Sequence, residues 1–280
     1  MDLYHLFQSL VLGILQGLAE FLPISSSGHL KIVPWFFGWE TPGLVFDTSL
    51  HLGTSLALLL FFYKDFWEVI KGFVRPSDFK EKKEARDARM LGFYIIIGML
   101  PAGILGLLFD KQIEFLLPEP LTEYSALVIA GLLAVFGLIL YGVDRMNTRN
   151  YDMKAMNWQR ALLVGIFQIF ALLPGVSRSG ITMTAGMLSG LKRDTAARFS
   201  FLVGAPLTFA AGIFKLKDLV DIQFTTELIL YFGIGFVASA VSGYLCIKYF
   251  LKFLNSHNVG VFTIYRLLFA AVIVAVVVLR

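Results

Sequence analysis

Long apolar stretches separated by short polar segments run through the whole 280-residue chain. A helix needs about 20 mostly apolar residues to cross a bilayer, and roughly 17–25 are tolerated. Five stretches qualify on length, and a sixth qualifies less cleanly because Pro206 interrupts it. The six stretches are 44–63, 91–109, 124–143, 199–217 (the one with the proline), 226–247 and 261–279. The pattern predicts an all-α polytopic membrane protein with six transmembrane helices.

Two further apolar regions, 3–38 and 161–191, break in the middle at clusters of proline, serine and glycine. The piece after each break has roughly 11–13 residues, or about 16–20 Å as a helix. That length is too short for a hydrocarbon core of about 30 Å. Irregular backbone at membrane depth is tolerated where protein buries it or where it lines a watery cavity. We therefore predict two re-entrant helical hairpins whose tips stop inside the membrane.

Composition excludes other classes of protein. The chain is 57% hydrophobic and 16% charged, with a mean hydropathy of +0.74. An average soluble protein is about 45–50% apolar and about 25% charged, and a disordered chain combines low hydrophobicity with high charge. Because Cys246 is the only cysteine, neither an internal disulfide framework nor a thiolate metal cluster can form.

The basic residues support one orientation in the membrane. If 64–89 is cytoplasmic, four segments on that face hold 17 of the 24 Lys and Arg residues, five lie on the opposite face, and Arg178 and Arg266 lie within the membrane. This distribution follows the positive-inside rule and places both termini outside. The run 75–89 is expected to be a solvated loop facing anionic lipids. Loop cations account for the net charge of +4, so no nucleic-acid partner is predicted. The four segments are 64–89, 144–160, 192–198 and 248–258.

An internal repeat relates the two broken regions. Residues 13–28 and 165–180 are identical at seven of sixteen positions without a gap, at an offset of 152, whereas composition alone would give about one or two. Each half then has one hairpin and three spans, and two copies with an odd number of spans insert in opposite orientations. We predict an inverted-topology repeat whose tips meet near the midplane; the alternative is that apolar, glycine-rich segments look alike anyway. The predicted units are 1–143, a cytoplasmic linker 144–160, and 161–280.

The first tip combines a carboxylate with hydroxyls and an imidazole. Gln16 and Glu20 are four residues apart and share one helix face, and Ser26, Ser27 and His29 follow them. If the return helix begins at the serines, His29 lies about one turn into it and faces the same cavity. The alternatives are a plain turn or close helix contact for the serines and an interfacial position for the histidine.

The second tip concentrates hydrogen-bond donors at the start of a return helix. Free backbone N–H groups and the helix dipole favour an anion at such a place, and the planar fork of Arg178 suits phosphate or carboxylate. We therefore predict an anion site, with phosphate as the preferred ligand. Charges inside a membrane are costly and indicate function, although simple pairing of Arg178 with Glu20 is the alternative. The predicted anion ligands are Ser177, Arg178, Ser179, Gly180 and Thr182.

Three more polar residues are left open between structural and functional roles. Arg266 is expected to lie inside the membrane, where it either neutralises Glu20 or Asp47 or stabilises the fold. Asp47 and His51 lie near the start of a predicted span. They either line the cavity or sit at the membrane interface.

The two tips and their spacing resemble the bacterial undecaprenyl-diphosphate phosphatase family, the bacitracin-resistance type. The likeness rests on QGLAEFLPISSSGH at 16–29 and PGVSRSGIT at 174–182, and it extends over essentially the whole chain. The resemblance implies a multi-pass enzyme of the bacterial cell membrane that hydrolyses undecaprenyl diphosphate to the monophosphate. Such an enzyme recycles the carrier lipid for peptidoglycan synthesis and confers bacitracin resistance.

The resemblance also assigns roles to individual residues. The nucleophile is left open among Ser26, His29 and water, and Glu20 either orients His29 or holds a Mg²⁺ or Ca²⁺ ion. Many family members have Glu at the position of Gln16, so this chain lacks one candidate metal ligand. The implied catalytic residues are Glu20, Ser26, His29 and Arg178, and the implied substrate-binding residues are Gln16, Ser27, Ser177, Ser179, Gly180 and Thr182.

Two other classes of function stay open at this stage. Inverted repeats with broken helices are also typical of transporters, so a transporter or flippase for a lipid phosphate or another anion is the main alternative. The other alternative is a purely structural membrane subunit, in which the intramembrane polar groups would have no function. The expected partners are a polyprenyl diphosphate substrate and membrane lipids, and a homodimer is neither required nor excluded.

Overall fold

The computed structural model describes residues 3–40, 43–109, 120–146, 150–215 and 225–280. These residues form eleven α-helices, three short 3₁₀ helices and one isolated β-bridge. Three cations counted above, Lys111, Arg149 and Lys217, lie outside the described residues. The α-helices are α1 (Leu3–Phe21), α2 (Ser26–Phe37), α3 (Leu44–Phe61), α4 (Tyr63–Val74), α5 (Lys82–Leu108), α6 (Glu123–Arg145), α7 (Trp158–Gln168), α8 (Arg178–Leu188), α9 (Arg193–Lys215), α10 (Thr226–Leu254) and α11 (Gly260–Leu279).

The helices confirm an all-α, multi-pass membrane protein. α5, α6, α9, α10 and α11 are each long and apolar enough to cross a membrane, and they correspond to five of the six predicted spans. Pro206 lies inside α9 without ending it. The sixth predicted span corresponds to α3, whose 18 residues lie at the lower end of the tolerated length, and a bend of 68° separates it from α4.

Each break in the two remaining apolar regions is a turn between helices. α2 begins at Ser26 and has 12 residues, and α8 begins at Arg178 and has 11 residues, so both return helices have the predicted length. Before the second turn the chain passes through a 3₁₀ helix over Ile169–Leu172, which the sequence pattern does not indicate. The re-entrant path, the inverted orientation and the unit boundaries stay predictions.

The expectation of a loop over 75–89 is wrong for its second half. α5 already begins at Lys82, and α4 occupies most of the stretch between α3 and this point. Residues 82–84 and 86–87 are nevertheless exposed, so the basic run is solvated as expected. α4 is too short and too charged to be found by a search for spans, because its signal is a narrow apolar stripe with helical spacing.

Glycines allow α1 and α3 to approach α10 closely. A Cβ atom at Gly17 would lie 1.9 Å from Ser242 Oγ, and one at Gly53 would lie 2.0 Å from Ser239 Oγ. The Ser239 hydroxyl also donates a hydrogen bond to the carbonyl of Leu50 at 2.9 Å. Small residues of this kind drive helix association in membranes. They fix α1, which carries the first tip, against α3 and α10.

A cluster of aromatic rings closes one side of the tips. Phe21, directly after Glu20, meets Phe201 edge to face at 5.4 Å. Phe201 also lies 6.4 Å from Phe62 and 6.3 Å from Phe250, and all four rings are buried. Such packing excludes water. Charges beside it therefore interact in a medium of low dielectric constant, where electrostatic effects are strong.

Candidate functional site

The two turns share one backbone geometry. Ser25 and Ser177 are the only described non-glycine residues with positive φ, at 77° and 74°. Each caps its return helix: Ser25 Oγ accepts a hydrogen bond from the Gly28 N–H at 3.4 Å, and Ser177 Oγ accepts one from the Gly180 N–H at 3.2 Å. The two serines are separated by the offset of the sequence repeat. Non-glycine residues in this region are strained, and such strain is concentrated at functional sites.

The carboxylate of Glu20 lies where the two tips meet. Its Oε1 accepts a hydrogen bond from Arg178 Nη2 of the second tip at 2.8 Å. Its Oε2 accepts one from Ser26 Oγ at 2.7 Å and one from Gln16 Nε2 at 3.2 Å, both from the first tip. The side chain is only 7% exposed. Four predicted site residues are therefore brought together around one buried carboxylate.

The guanidinium of Arg178 retains unused binding capacity. Besides the bond to Glu20, its Nη1 donates to the Ser200 carbonyl at 3.4 Å. Its Nε is buried and has no hydrogen-bond partner among the described residues. An unpaired buried N–H is costly. An anion that receives this N–H would satisfy it.

Arg266 ties both tips to α6. Its side chain is fully buried, and its Nε donates to the Leu133 carbonyl at 2.8 Å. Its Nη1 donates to Pro23 O of the first tip at 3.2 Å, and its Nη2 donates to Gly175 O and Val176 O of the second at 3.0 and 3.2 Å. Of the two alternatives for this residue, the structure supports the structural one.

The carboxylates that Arg266 could have neutralised have other partners. Arg178 pairs with Glu20 at 2.8 Å, and Lys31 Nζ lies 3.2 Å from Asp47 Oδ2. The expectation that Arg266 neutralises one of these acids is therefore wrong. Its positive charge is instead solvated by backbone carbonyl oxygens of the two turns and α6.

His29 is held away from the carboxylate. Its Nδ1 lies 2.7 Å from the Ser25 carbonyl and its Nε2 lies 2.7 Å from the hydroxyl of Tyr265. Phe269 stacks on the ring at a centroid distance of 4.3 Å, and the residue is 1% exposed. Both nitrogens are thus engaged with α11 and the turn. The prediction that His29 is catalytic is not supported by a contact with Glu20.

Comparison with known proteins decides the family. A family model described as "Bacitracin resistance protein BacA" matches residues 9–272. A protein of Caldicellulosiruptor bescii named undecaprenyl-diphosphatase is 46% identical over 275 residues, covering 98% of each chain. The protein of that name from Moorella thermoacetica is 44% identical over 274 residues, again with 98% of each chain covered. The chain belongs to the BacA bacitracin resistance protein family.

In the second tip of this BacA-family chain, the hydroxyls of Ser179 and Thr182 form hydrogen bonds within the protein. Ser179 Oγ donates to the Leu22 carbonyl at 3.1 Å and so binds the second tip to the first. Thr182 Oγ1 donates to the Arg178 carbonyl at 2.7 Å and lies 2.6 Å from Ser200 Oγ. Both side chains are buried. Direct contact of these hydroxyls with a ligand stays a prediction, whereas their role in shaping the turn is observed.

His51 belongs to the site of this BacA-family chain, although sequence reasoning left it open. Its Nε2 lies 3.8 Å from Glu20 Oε2, and its side chain is 32% exposed. Its Nδ1 lies 2.8 Å from the Asp47 carbonyl, which orients the ring. In the sequence, His51 is distinguished only by lying one helical turn after Asp47. Such a pair is common at helix starts and does not by itself indicate a functional site. His51 is therefore the imidazole that lies beside Glu20, and it is more exposed than His29.

The described residues offer few ligands for a divalent cation on Glu20 of this BacA-family chain. Both carboxylate oxygens accept hydrogen bonds from Arg178, Ser26 and Gln16, and Gln16 offers an amide where a second carboxylate would help to bind a metal. Mg²⁺ and Ca²⁺ require several oxygen ligands. In the described part of the chain, no group of three or more His, Cys, Asp or Glu residues could hold a metal. A Mg²⁺ or Ca²⁺ ion therefore stays an implication of the resemblance alone.

Gly204 of α9 makes room for the guanidinium. A Cβ atom at this position would lie 1.2 Å from Arg178 Nη1 and 2.4 Å from its Cζ. The sequence gives no signal for this contact, because glycines are frequent in all the spans. In this BacA-family chain the absence of a side chain at Gly204 thus determines where Arg178 can lie.

Proposed function

We propose that this protein is an integral membrane phosphatase of the bacterial cell membrane that hydrolyses undecaprenyl diphosphate to undecaprenyl phosphate and inorganic phosphate. The observation that carries the proposal is the meeting of Arg178 with Glu20 and Ser26, which come from opposite halves of the chain. Membership of the bacitracin resistance family and the names of its relatives support the same reaction. The product is the carrier lipid for peptidoglycan synthesis, and its recycling confers resistance to bacitracin.

Binding of the diphosphate follows from the donors at the tips. Phosphoryl transfer depends chiefly on positioning and on neutralising the charge of the transferred group. Arg178 can meet both requirements. Its guanidinium carries the positive charge, and its buried Nε, which has no partner among the described residues, can donate a hydrogen bond that positions the phosphate. The first turns of α2 and α8 add the positive ends of two helix dipoles. The terminal phosphate would thus lie between these turns, close to Ser26 and Ser27.

Of the three candidate nucleophiles, the geometry favours Ser26. Its hydroxyl donates to Glu20 Oε2 at 2.7 Å, which is the arrangement of a nucleophile and its base. The oxygen would attack the terminal phosphorus and pass its proton to Glu20, while undecaprenyl phosphate leaves with the bridging oxygen. Water would then cleave the phosphoserine, releasing inorganic phosphate and restoring the hydroxyl. His29 is less suited, because Tyr265 occupies its Nε2.

Trapping the phosphorylated enzyme tests the nucleophile. With substrate labelled in the terminal phosphate and a quench in dodecyl sulfate at neutral pH in a single turnover, we expect label on Ser26 that survives later treatment with acid. Ser26→Ala should abolish it, and Ser27→Ala should retain it as a matched control. Acid-labile label would assign the attack to His29 instead. Inversion of configuration at a chiral terminal phosphorus, with no trapped species, would assign it to water, because a phosphoenzyme route has two displacements and gives net retention.

The proposed reaction is tested by phosphate release in detergent, where transport across a membrane cannot occur. We expect the purified protein to release inorganic phosphate from undecaprenyl diphosphate. We expect Glu20→Gln to release it at a much lower rate, because the base is lost while the shape of the side chain is kept. If wild-type protein is inert in detergent but moves the lipid across liposome membranes, the function is transport and the phosphatase proposal fails.

Gly204→Ala is expected to lower the rate of hydrolysis by about 10–100-fold, because the added methyl group displaces the guanidinium that holds the phosphate. Overpacking of this kind also costs about 1–3 kcal/mol of stability. Gly131→Ala in α6 is the control, because nothing lies within 4 Å of a Cβ atom there. Rates of phosphate release and melting temperatures of both variants measure the effect. Equal rates for Gly204→Ala and wild type would show that Arg178 need not occupy its observed position.

A further inference from the structure

α4 exposes a narrow apolar stripe. Tyr63, Trp67, Ile70 and Val74 are between 52 and 71% exposed. Their spacing of four, three and four residues places them on one face of the helix. An exposed stripe that contains Trp and Tyr is typical of helices at the boundary between lipid and water. The stripe therefore needs an apolar environment outside the protein.

The opposite face of α4 packs on the protein and fixes the direction of the stripe. A Cβ atom at Gly72 would lie 3.1 Å from the Cβ atom of Ala88 in α5. Asp65 accepts a hydrogen bond from Arg198 Nη2 of α9 at 2.5 Å. Because these contacts hold one face inward, the apolar stripe points away from the helical bundle.

The length and angle of α4 place it along the membrane rather than across it. Its 12 residues extend about 18 Å, which is too short to cross a hydrocarbon core of about 30 Å. It turns by 68° from α3, so it runs nearly in the membrane plane if α3 crosses. It also packs beside the first turns of α5, where the exposed basic run begins. α4 therefore lies at the level of the cytoplasmic surface.

Cations border the stripe. Lys64 lies on α4 with its Nζ 5.8 Å from the ring centroid of Tyr63, and Lys71 Nζ lies 5.0 Å from the ring of Phe79. The exposed residues Arg75 and Lys80 follow directly. The Lys71 amine also donates to the Asp78 carbonyl at 3.3 Å, and the exposed Glu68 lies on the same flank. The run 75–89 holds six cations and four acids, so the surface keeps a net positive charge, and each basic group near the membrane favours anionic lipid. The charge and the stripe together fit a leaflet rich in anionic phospholipid.

We propose that α4 is an in-plane anchor that binds the anionic lipids of the cytoplasmic leaflet. Its apolar stripe enters the boundary between headgroups and acyl chains, and Lys64 and Lys71 select anionic headgroups. The helix connects directly to α3, which carries His51. The anchor thus fixes the cytoplasmic end of a helix that contributes to the site.

Quenching of Trp67 fluorescence by brominated lipids tests the depth of the helix. The full-length protein and its Trp67→Phe variant are reconstituted in phosphatidylcholine vesicles, and the difference between them isolates Trp67. We expect stronger quenching by bromine near the headgroup end of the acyl chain than near its methyl end. Leu138→Trp in the Trp67→Phe background is the control, because it lies exposed in the middle of α6 and should show the reverse order. Deep quenching of Trp67, or none, would overturn the in-plane position.

The choice of lipid is tested in equimolar mixtures of phosphatidylcholine and phosphatidylglycerol, with one or the other brominated. We expect phosphatidylglycerol to be preferred around Trp67 by about fivefold, and this preference should fall at high salt. Lys64→Gln with Lys71→Gln should lower the preference to about twofold, because Arg75 and Lys80 remain. Lys248→Gln, an exposed cation at the cytoplasmic end of α10, should leave it unchanged. Equal quenching by both lipids in the wild type would overturn the selection of anionic lipid.

Discussion

Replacing Arg178 by alanine is expected to lower kcat/KM for undecaprenyl diphosphate by about 10³-fold or more. The change removes the planar donor that binds the transferred phosphate, and arginines in this role contribute about 10³–10⁵ in rate. It also removes the arginine that pairs with the buried carboxylate of Glu20. The measurement is the initial rate of phosphate release by purified protein in detergent.

Two further variants separate the role of Arg178 from general effects of charge. Arg178→Lys keeps the charge but not the fork, and it should restore only part of the activity. Arg198→Ala removes another arginine that pairs with a carboxylate, Asp65, at a more exposed place. Exposed ion pairs contribute about 0–1 kcal/mol, so this variant should retain most activity. An Arg178→Ala protein with more than about a tenth of the wild-type rate would contradict the assignment, because a lost transition-state donor costs at least about 10²-fold.

Replacing Arg266 by methionine is expected to destabilise the fold by about 3 kcal/mol or more. The buried guanidinium donates to carbonyls of Pro23, Gly175, Val176 and Leu133, and each carbonyl that loses its donor in a dry environment costs about 1–3 kcal/mol. The expected fall in melting temperature is roughly 6–12 °C. Because Cys246 is the only cysteine in the sequence and is buried, its reaction with a thiol-specific dye during heating reports unfolding.

Arg145→Met is the matched control for Arg266. Arg145 is exposed and, among the described residues, contacts Tyr141 of its own helix, so its loss should change the melting temperature by less than about 2 °C. Arg266→Lys should fall between the two variants, because one ammonium group cannot reach carbonyls on three segments. If Arg266→Met has the same melting temperature as the wild type, the stability of the two tips does not depend on this residue.

The backbone of the site was predictable because prolines, glycines and serines interrupt otherwise apolar runs. These interruptions place the starts of α2 and α8, and hence Ser26 and Arg178, at positions that the structure confirms. Placement of Glu20 on the same face as Gln16 also follows from helical spacing. Local periodicity thus determines which side chains reach the tips.

Contacts between distant segments were not predictable in the same way. The ring of His29 turns toward Tyr265 and Phe269 of α11, and nothing in its neighbourhood in the sequence indicates this. Arg266 binds backbone carbonyl oxygens. Because every residue has one, the sequence does not indicate which of them an arginine will bind. Gly204 matters only through the guanidinium that lies over it. Each of these roles depends on packing that residue types alone do not specify.

The serine caps have a consequence for the direction in which a ligand can bind. Ser26 and Arg178 each follow a strained serine and occupy the same position of the repeat. Two identical turns would present a ligand with equivalent ends, so a diphosphate could enter in either sense. Divergence at this one position makes one end a hydroxyl and the other a cation. In the proposed mechanism both groups act on the terminal phosphate, Ser26 as nucleophile and Arg178 as donor, so the lipid ester must point away from the two turns.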